Sequence, residues 1–348
     1  MTGINFIPLD KQIALKWLMK RDYFFYFFLS LFVFSGFVLS IYLITLWDSI
    51  LVVVFNTFWL WFMRLQGALL AHDFSHQQVF KSKKKNNFFA SIVWSICCWA
   101  PATWWEYRHN AHHKTANQID ADPDLDVPFA FGEKQVIQKK SFFNLCILPF
   151  QHIIFFPWFF TSFLVWVGKW FLWLPKHMTG RGALEFLWFF SSIFIYMYLT
   201  FHFLSLTHAL IFTLGHLCIA WLYMSILFFP NHYGTTLIEK DTPYSRVYQI
   251  LTSRNIRGKS ITSFFLWGLN YQVEHHLYPT MPRNHLSQAR VFVKDFCKKN
   301  SIRYHEVHFF IAFAEMFLAL RKVAKKVEIM EPLKSLEEST YIWLSEET

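Results

Sequence analysis

Eight of the sixteen histidines in this chain fall into patterns that suit metal binding. AHDFSH carries His72 and His76, RHNAHH carries His109, His112 and His113, and YQVEHH carries His275 and His276 with Gln272 three residues before the pair. The eighth, His232, lies in FPNHYG. Residues three and four apart share a helix face, so the spacing predicts that each cluster turns its imidazoles toward one point. Gln272, at i−3 from His275, would aim its amide the same way. Neutral imidazoles without thiolate partners suit iron, zinc or copper rather than magnesium or calcium. Eight exceed what one tetrahedral or octahedral ion accepts, which predicts two metals with four or five protein ligands each and open positions for oxygen. Asp73 and the run Asp120, Asp122, Asp124 and Asp126 are candidate acceptors for the imidazole N–H groups. The other histidines, His152, His177, His202, His208, His216, His285, His305 and His308, read as structural. His208 and His216 stand apart because ionisable groups within membrane segments are functional by default.

The elements that must position these residues are apolar helices. The chain has 348 residues, 54% of them hydrophobic and 43 of them Phe. No charged side chain occurs from Tyr23 to Trp47 or from Phe186 to Ile238, and Ser49 to Ala71 is interrupted only by Arg64. A span needs about 20 such residues, so these stretches predict four crossings and an all-α integral membrane protein. Phe88 to Ala100 is too short to cross and is expected to dip into the interface before Pro101.

The net charge of +10 follows the spans: Lys16, Lys20 and Arg21 precede the first, and Lys81, Lys83, Lys84 and Lys85 follow the second. Positive residues stay cytosolic, which puts the N-terminus and His72 on that side and argues against a nucleic-acid partner. The apolar run near the start is too long for a cleaved signal peptide and lacks a cleavage site. Five cysteines, Cys97, Cys98, Cys146, Cys218 and Cys297, form no CxxC pair, so no disulfide framework, zinc ribbon or iron–sulfur cluster is expected.

One integrated domain is expected: an amphipathic entry (1–22), two spans (23–71), the first two histidine boxes (72–140), an aromatic-rich segment (141–175), two further spans (186–229) and a helical cap with the third box (230–348). Parity decides the ambiguous 141–175. If all eight histidines meet, the chain crosses an even number of times between His113 and His232, so this segment is read as interfacial or re-entrant. The Arg/Lys-rich region from Ser287 to Lys326 is read as helical.

The three boxes, their order and the stretch LTSRNIRGKSITSFFLWGLNYQVEHHLYPTMPRNHL resemble membrane fatty acid desaturases of the front-end and bacterial acyl type. Gln272 in place of a leading histidine is that subgroup's mark. The resemblance runs from about Gln66 to Tyr304. It implies a non-haem di-iron centre that uses dioxygen and two electrons to insert a double bond into an acyl chain, with the box histidines as iron ligands. His232, preceded by Asn231, matches a further ligand position. Asn231, Gln272 and Asp73 are thereby the non-histidine residues expected at the reaction centre. Many front-end relatives carry a fused cytochrome b5 domain with an HPGG motif, which this chain lacks. The expectation is therefore no bound haem or flavin and a separate electron donor: ferredoxin, cytochrome b5 or a flavin-linked reductase.

Removing hydrogen from an unactivated methylene needs an oxidant that no side chain supplies, so the metals carry that chemistry and the protein supplies position. Ligands at span ends would meet an acyl lipid or acyl thioester from the bilayer and a donor from the cytosol. Arg108, Lys114, Arg254, Arg257 and Arg283 are candidates for holding an anionic head group. A hydroxylase or ketolase on the same scaffold is the nearest alternative. A metal transporter is the other, although it would want ligands along a path inside the bilayer.

Overall fold

The computed structural model describes residues 3–46, 48–125, 148–158, 162–173, 176–177, 180–258, 260–266 and 268–325. Asp126, Cys146 and the beginning of the 141–175 segment lie outside them.

A short helix α1 (Ile7–Leu15) buries Leu9 and Ile13 and leads into α2 (Tyr23–Leu46) and α3 (Ile50–Ser75). α2 exposes Phe24, Phe27, Phe28 and Leu31, as an apolar helix does only where its surroundings are apolar too. Next comes α4 (Lys83–Val93), whose first turn is capped by the Ser82 hydroxyl accepting from Lys85 N. It runs on through one π-helical turn, Trp94–Cys98, and stops at Trp99, whose φ is 52°. Past Pro101, α5 (Ala102–Lys114) departs with a bend of 102°. The apolar segment Phe88 to Ala100, expected to dip into the interface before Pro101, is the first arm of an elbow.

Two helices follow, α6 (Gln151–Trp158) and α7 (Ser162–Trp173), of 8 and 12 residues, both short of the roughly 20 that a span needs. The remaining long pair is α8 (Gly180–Phe203) and α9 (Leu206–His232). Among the described residues four helices, α2, α3, α8 and α9, are long and apolar enough to cross a membrane. The cap then holds α10 (Arg246–Leu251), β1 (Asn255–Arg257), α11 (Ser260–Leu266), α12 (Gln272–Leu277), α13 (Leu286–Lys299), β2 (Glu306–His308) and α14 (309–325).

α3 is the spine, with half of its apolar stretch buried. A Cβ at its Gly67 would lie 2.5 Å from the Cys97 Cβ, so glycine permits the π turn to pack this closely. The α3 and α9 C-termini, bearing His72 and His232, reach two adjoining histidine groups. At the far end the two short connections meet, Asp48 accepting from Ser205 N (3.0 Å) and pairing with His208. The elbow is latched to α8 by buried Glu185, which accepts from Ser91 (2.5 Å) and Thr103 (2.7 Å), and by Arg181, which pairs with Glu106 (2.8 Å).

A second core, including Leu9, Ile13, Val273, Leu286 and Val293, packs α1 against α12 and α13. Across it Arg246 pairs with Asp10 at 2.8 Å, and Tyr278 donates to the same carboxylate at 2.7 Å. The region from Ser287 onward departs from its helical reading. α13 ends at Lys299, Ser301 takes φ 53°, and β2 then pairs in parallel with β1 before α14 begins. A left-handed residue breaks the helix, and the strand pair fastens the cap's end beside Asn255.

Candidate metal centre

His72 occupies the last turn of α3, and His76 is its C-cap, bonded through its N–H to the His72 carbonyl. His109, His112 and His113 lie on the final turns of α5, and Gln272, His275 and His276 on α12. α12 is pinned by Asn255, whose Oδ1 accepts from Val273 N at 2.8 Å while its Nδ2 donates to Glu274 at 2.7 Å. Glu274 faces away from the histidines toward the Tyr304 hydroxyl, and burial pushes its carboxyl up to about 7.

All eight predicted histidines converge, but in two groups. His72, His76, His109 and His275 bring ligand atoms within 4.8 Å of one another, and so do His112, His232 and His276. His113 lies between them: its Nε2 is 3.0 Å from that of His109, and its ring is 4.3 Å from the His276 ring. The expectation that each box points to one centre is corrected here. Consecutive helical residues diverge by about 100°, so His275 and His276 go to different groups; His109 and His112, three apart on one face of α5, also divide, each reaching the group on its own side.

Burial first, and the crowding of neighbouring imidazoles second, hold His76, His109, His113, His275 and His276 well below the ordinary imidazole value. These rings are neutral, the form that ligates metals. The Nε2 atoms of His72, His76, His275 and His276 are buried with no hydrogen-bond partner. Buried polar atoms are rarely left so, and four converging ones fit a site built for cations.

The backs of the rings are held unequally. His112 Nδ1 lies 2.9 Å from Asp122, which also accepts from Asn117 N (2.7 Å) and Asp124 N (2.9 Å). Burial alone would raise the Asp122 carboxyl, but His112 and those N–H groups outweigh it and keep the carboxylate ionised. His232 Nδ1 faces the Thr252 carbonyl at 3.0 Å, and His276 Nδ1 faces Gln249 Oε1 at 2.9 Å. Asp73 Oδ1 is 3.4 Å from His72 Nδ1, and its other oxygen pairs with Arg283 at 3.0 Å.

Gln272 Nε2 sits 2.9 Å from His232 Nε2, inside the second group. Turning that amide over would present its oxygen to the same point. Asn231 donates to the Leu227 and Leu269 carbonyls at 2.9 and 3.1 Å, and its Oδ1 is buried without a partner. Of the described aspartates in the run, Asp122 enters the centre; Asp124, paired with Arg108, stands at its edge 3.7 Å from His112 Nδ1, and Asp120 pairs with Lys240. The head-group reading fails for two of the five basic residues. Arg254 is 0% exposed and tied to Glu315 and the Pro230 carbonyl, and Arg283 is 5% exposed against Asp73.

An apolar cavity begins at His109, His112, His232 and Gln272 and extends along α3 and α9 as far as Arg64 and Leu217. Trp105 stacks on His109 with ring centres 4.1 Å apart and walls the centre from that side. Thr252 and Gln249 were missed by sequence reasoning: one acts through its backbone, and the other precedes His276 by 27 residues with no spacing to connect them.

A profile of the fatty acid desaturase family matches residues 46–308. The chain is 27% identical to an acyl-lipid (9-3)-desaturase of Physcomitrium patens, over 75% of this chain and 51% of that protein. It is 29% identical to a Delta(6)-fatty-acid desaturase of Caenorhabditis elegans (76% of this chain, 63% of that one). With a Delta(8)-fatty-acid desaturase of Euglena gracilis the identity is 32% (69% and 60%). The matched part thus spans between half and two thirds of these relatives' length.

Proposed function

Since this chain belongs to the fatty acid desaturase family, we propose that it is an oxygen-dependent acyl desaturase working through a non-haem di-iron centre. The observation that carries this reading is the set of four buried, partnerless Nε2 atoms, those of His72, His76, His275 and His276, in a histidine cluster whose His109, His112 and His232 line the head of an apolar cavity. His72, His76, His109 and His275 would hold one iron and His112, His232 and His276 the other, with Gln272 beside the second and His113 between them. When bound, the two irons supply the oxidising power to activate dioxygen and remove hydrogen from a methylene.

The chain's own residues orient and exclude. Asp122 holds the His112 proton on Nδ1 and leaves Nε2 free to ligate. Thr252 O does the same for His232, and Gln249 for His276. Trp105, Leu65, Ala68 and Phe228 keep the cavity near the centre apolar, so that an acyl chain from a lipid or thioester enters and water does not. The lysines before α2 and at the start of α4 support a centre on the cytosolic side. There a ferredoxin, a cytochrome b5 or a flavin-linked reductase would deliver electrons.

Two measurements test this. Purified protein should contain about two irons per chain, since its ligands outnumber one ion's capacity. Membranes expressing it, given oxygen and a reductant system, should yield acyl chains lighter by two hydrogens. Chains heavier by one oxygen would mark a hydroxylase instead, and one zinc per chain with full activity would sink the di-iron reading.

A further inference from the structure

Arg64 is the one charged residue in the apolar core of α3, and it lies at the deep end of the cavity. It precedes His72 by eight residues, roughly 12 Å along a helix. Among the described residues lining the cavity, none on α3 precedes Arg64 and none on α9 precedes Leu217. The cavity follows one face of α9 through Leu217, Trp221, Met224, Phe228 and His232, roughly 22 Å of helix. Its head is the histidine centre and its foot is a guanidinium.

That guanidinium is held rigidly without a counter-charge. It stacks 3.9 Å from the centre of the Trp99 ring, lies 5.6 Å from that of Tyr196, and donates from Nη1 to the Cys97 carbonyl at 3.0 Å. Among the described residues no carboxylate pairs with it, and its Nε has no partner. A charge at this depth is costly, and Trp99 itself sits at the left-handed residue that ends the π turn. Capping that turn's carbonyl accounts for one of its N–H groups. It does not account for the side chain's place in the cavity wall.

We propose that Arg64 is the end stop of the acyl cavity and selects chain length. The inference rests on the desaturase reading, because it takes the occupant to be an acyl chain with its methyl end pointing away from the histidines. A chain that ends against the stacked guanidinium leaves it in place. One methylene more must lift it from Trp99 and the Cys97 carbonyl, in surroundings with no other anchor. The distance from the centre to Arg64 then fixes how much chain lies beyond the reacting carbon. A pocket that reads single methylenes this way discriminates by about tenfold or more.

The test uses the purified, iron-loaded protein in detergent. A graded series of saturated fatty acid methyl esters serves as the probe, with thermal stabilisation as the readout. The wild type should show stabilisation that grows with chain length and then breaks off. Arg64→Ala should move that break to longer chains, raising the affinity ratio of long over short esters by about tenfold. Arg64→Leu, better suited to a membrane helix should the alanine variant not fold, should move it the same way by less. Arg64→Met, similar in reach but without the guanidinium's anchors on Trp99 and the Cys97 carbonyl, should keep the break at the same length but make it shallower, and Cys98→Phe, which fills the same end of the cavity, should move it to shorter chains.

An unchanged break in both folded Arg64→Ala and Arg64→Leu would overturn the proposal, as would a uniform loss at all lengths, the mark of a residue that only caps the elbow. So would free fatty acids, but not their esters, losing affinity in Arg64→Met, since the guanidinium would then be reading a carboxylate. If the wild type binds the esters with a break but makes no unsaturated product, the desaturase reading fails while the length-dependent break remains.

Discussion

The two histidine groups are built on different plans. The first, His72, His76, His109 and His275, is rich in ligands and poor in support: among the described residues its only backing carboxylate, Asp73, stands 3.4 Å from His72 and is engaged with Arg283. The second has three imidazoles, and each Nδ1 faces an acceptor at 2.9 or 3.0 Å: Asp122, the Thr252 carbonyl and Gln249. One plan would secure a metal by number, the other by orientation, with an ionised carboxylate one ring away. A site with fewer, better-fixed ligands keeps positions free, and Gln272 is the weakly donating neighbour that faces the second group. On the proposed di-iron reading the second group, two of whose three histidines line the head of the cavity, is the one better placed to meet oxygen and substrate.

The largest effects test whether the groups are separate at all. His72→Ala and His276→Ala should each reduce turnover to background and lower the iron content from about two to about one per chain. Loss of both irons from either variant would mean the groups act as one site. Next in size is the contrast between the two aspartates. Asp122→Asn should cut iron affinity or activity by about 10–100-fold with little change in melting temperature. Asp73→Asn should do the reverse, since it breaks the buried ion pair with Arg283, at a cost of about 3–5 kcal/mol in stability. Thermal unfolding and metal titration of the two variants, run side by side, would expose a swapped assignment.

Asp122 also marks where sequence reasoning stopped. The four spans and the convergence of the histidines were legible because apolar run length and helix periodicity are local properties. Within the aspartate run four carboxylates looked equal. Asp122 is singled out because Asn117 and Asp120 take φ of 55° and 62°, curling the loop back under α5. Gln118 then fastens the loop to the carbonyls of Glu239, Lys240 and Thr242. None of this has a period. The division of box three between the groups was a geometric consequence that the sequence did contain, since adjacent helical residues cannot face one point; that of box two, between His109 and His112 on one helix face, depends on where the neighbouring helices end. The strand pair β1–β2 had no signal beyond two three-residue stretches that meet only in the folded cap.

A smaller effect is expected at Gln272. Its amide contacts His232 at 2.9 Å, so Gln272→Ala should lower activity by at least about tenfold, the lower end of the range for groups next to a metal's ligands. Expression and detergent stability should stay nearly unaltered. Wild-type turnover in this variant would reduce Gln272 to scaffold and leave the second group with imidazoles alone, weakening the idea that it is the more open of the two.

The smallest effect, and the sharpest test of support by orientation, belongs to Gln249. Its Oε1 takes the His276 proton at 2.9 Å, much as Asp122 takes that of His112, but it brings no charge. A neutral acceptor fixes the ring's tautomer and direction without raising its basicity as a carboxylate does. Gln249→Met fills similar space and removes that acceptor, together with the bond from Gln249 Nε2 to the His113 carbonyl. The expected loss is about tenfold or less, read as faster removal of one iron by a chelator and a modest fall in turnover. Gln249→Glu restores the acceptor and adds the charge, so it should hold that iron at least as long as the wild type. The ordering decides the matter. If Gln249→Met costs more than Asp122→Asn, charge is not what makes a backing group strong here, and the contrast between the groups reduces to their number of ligands.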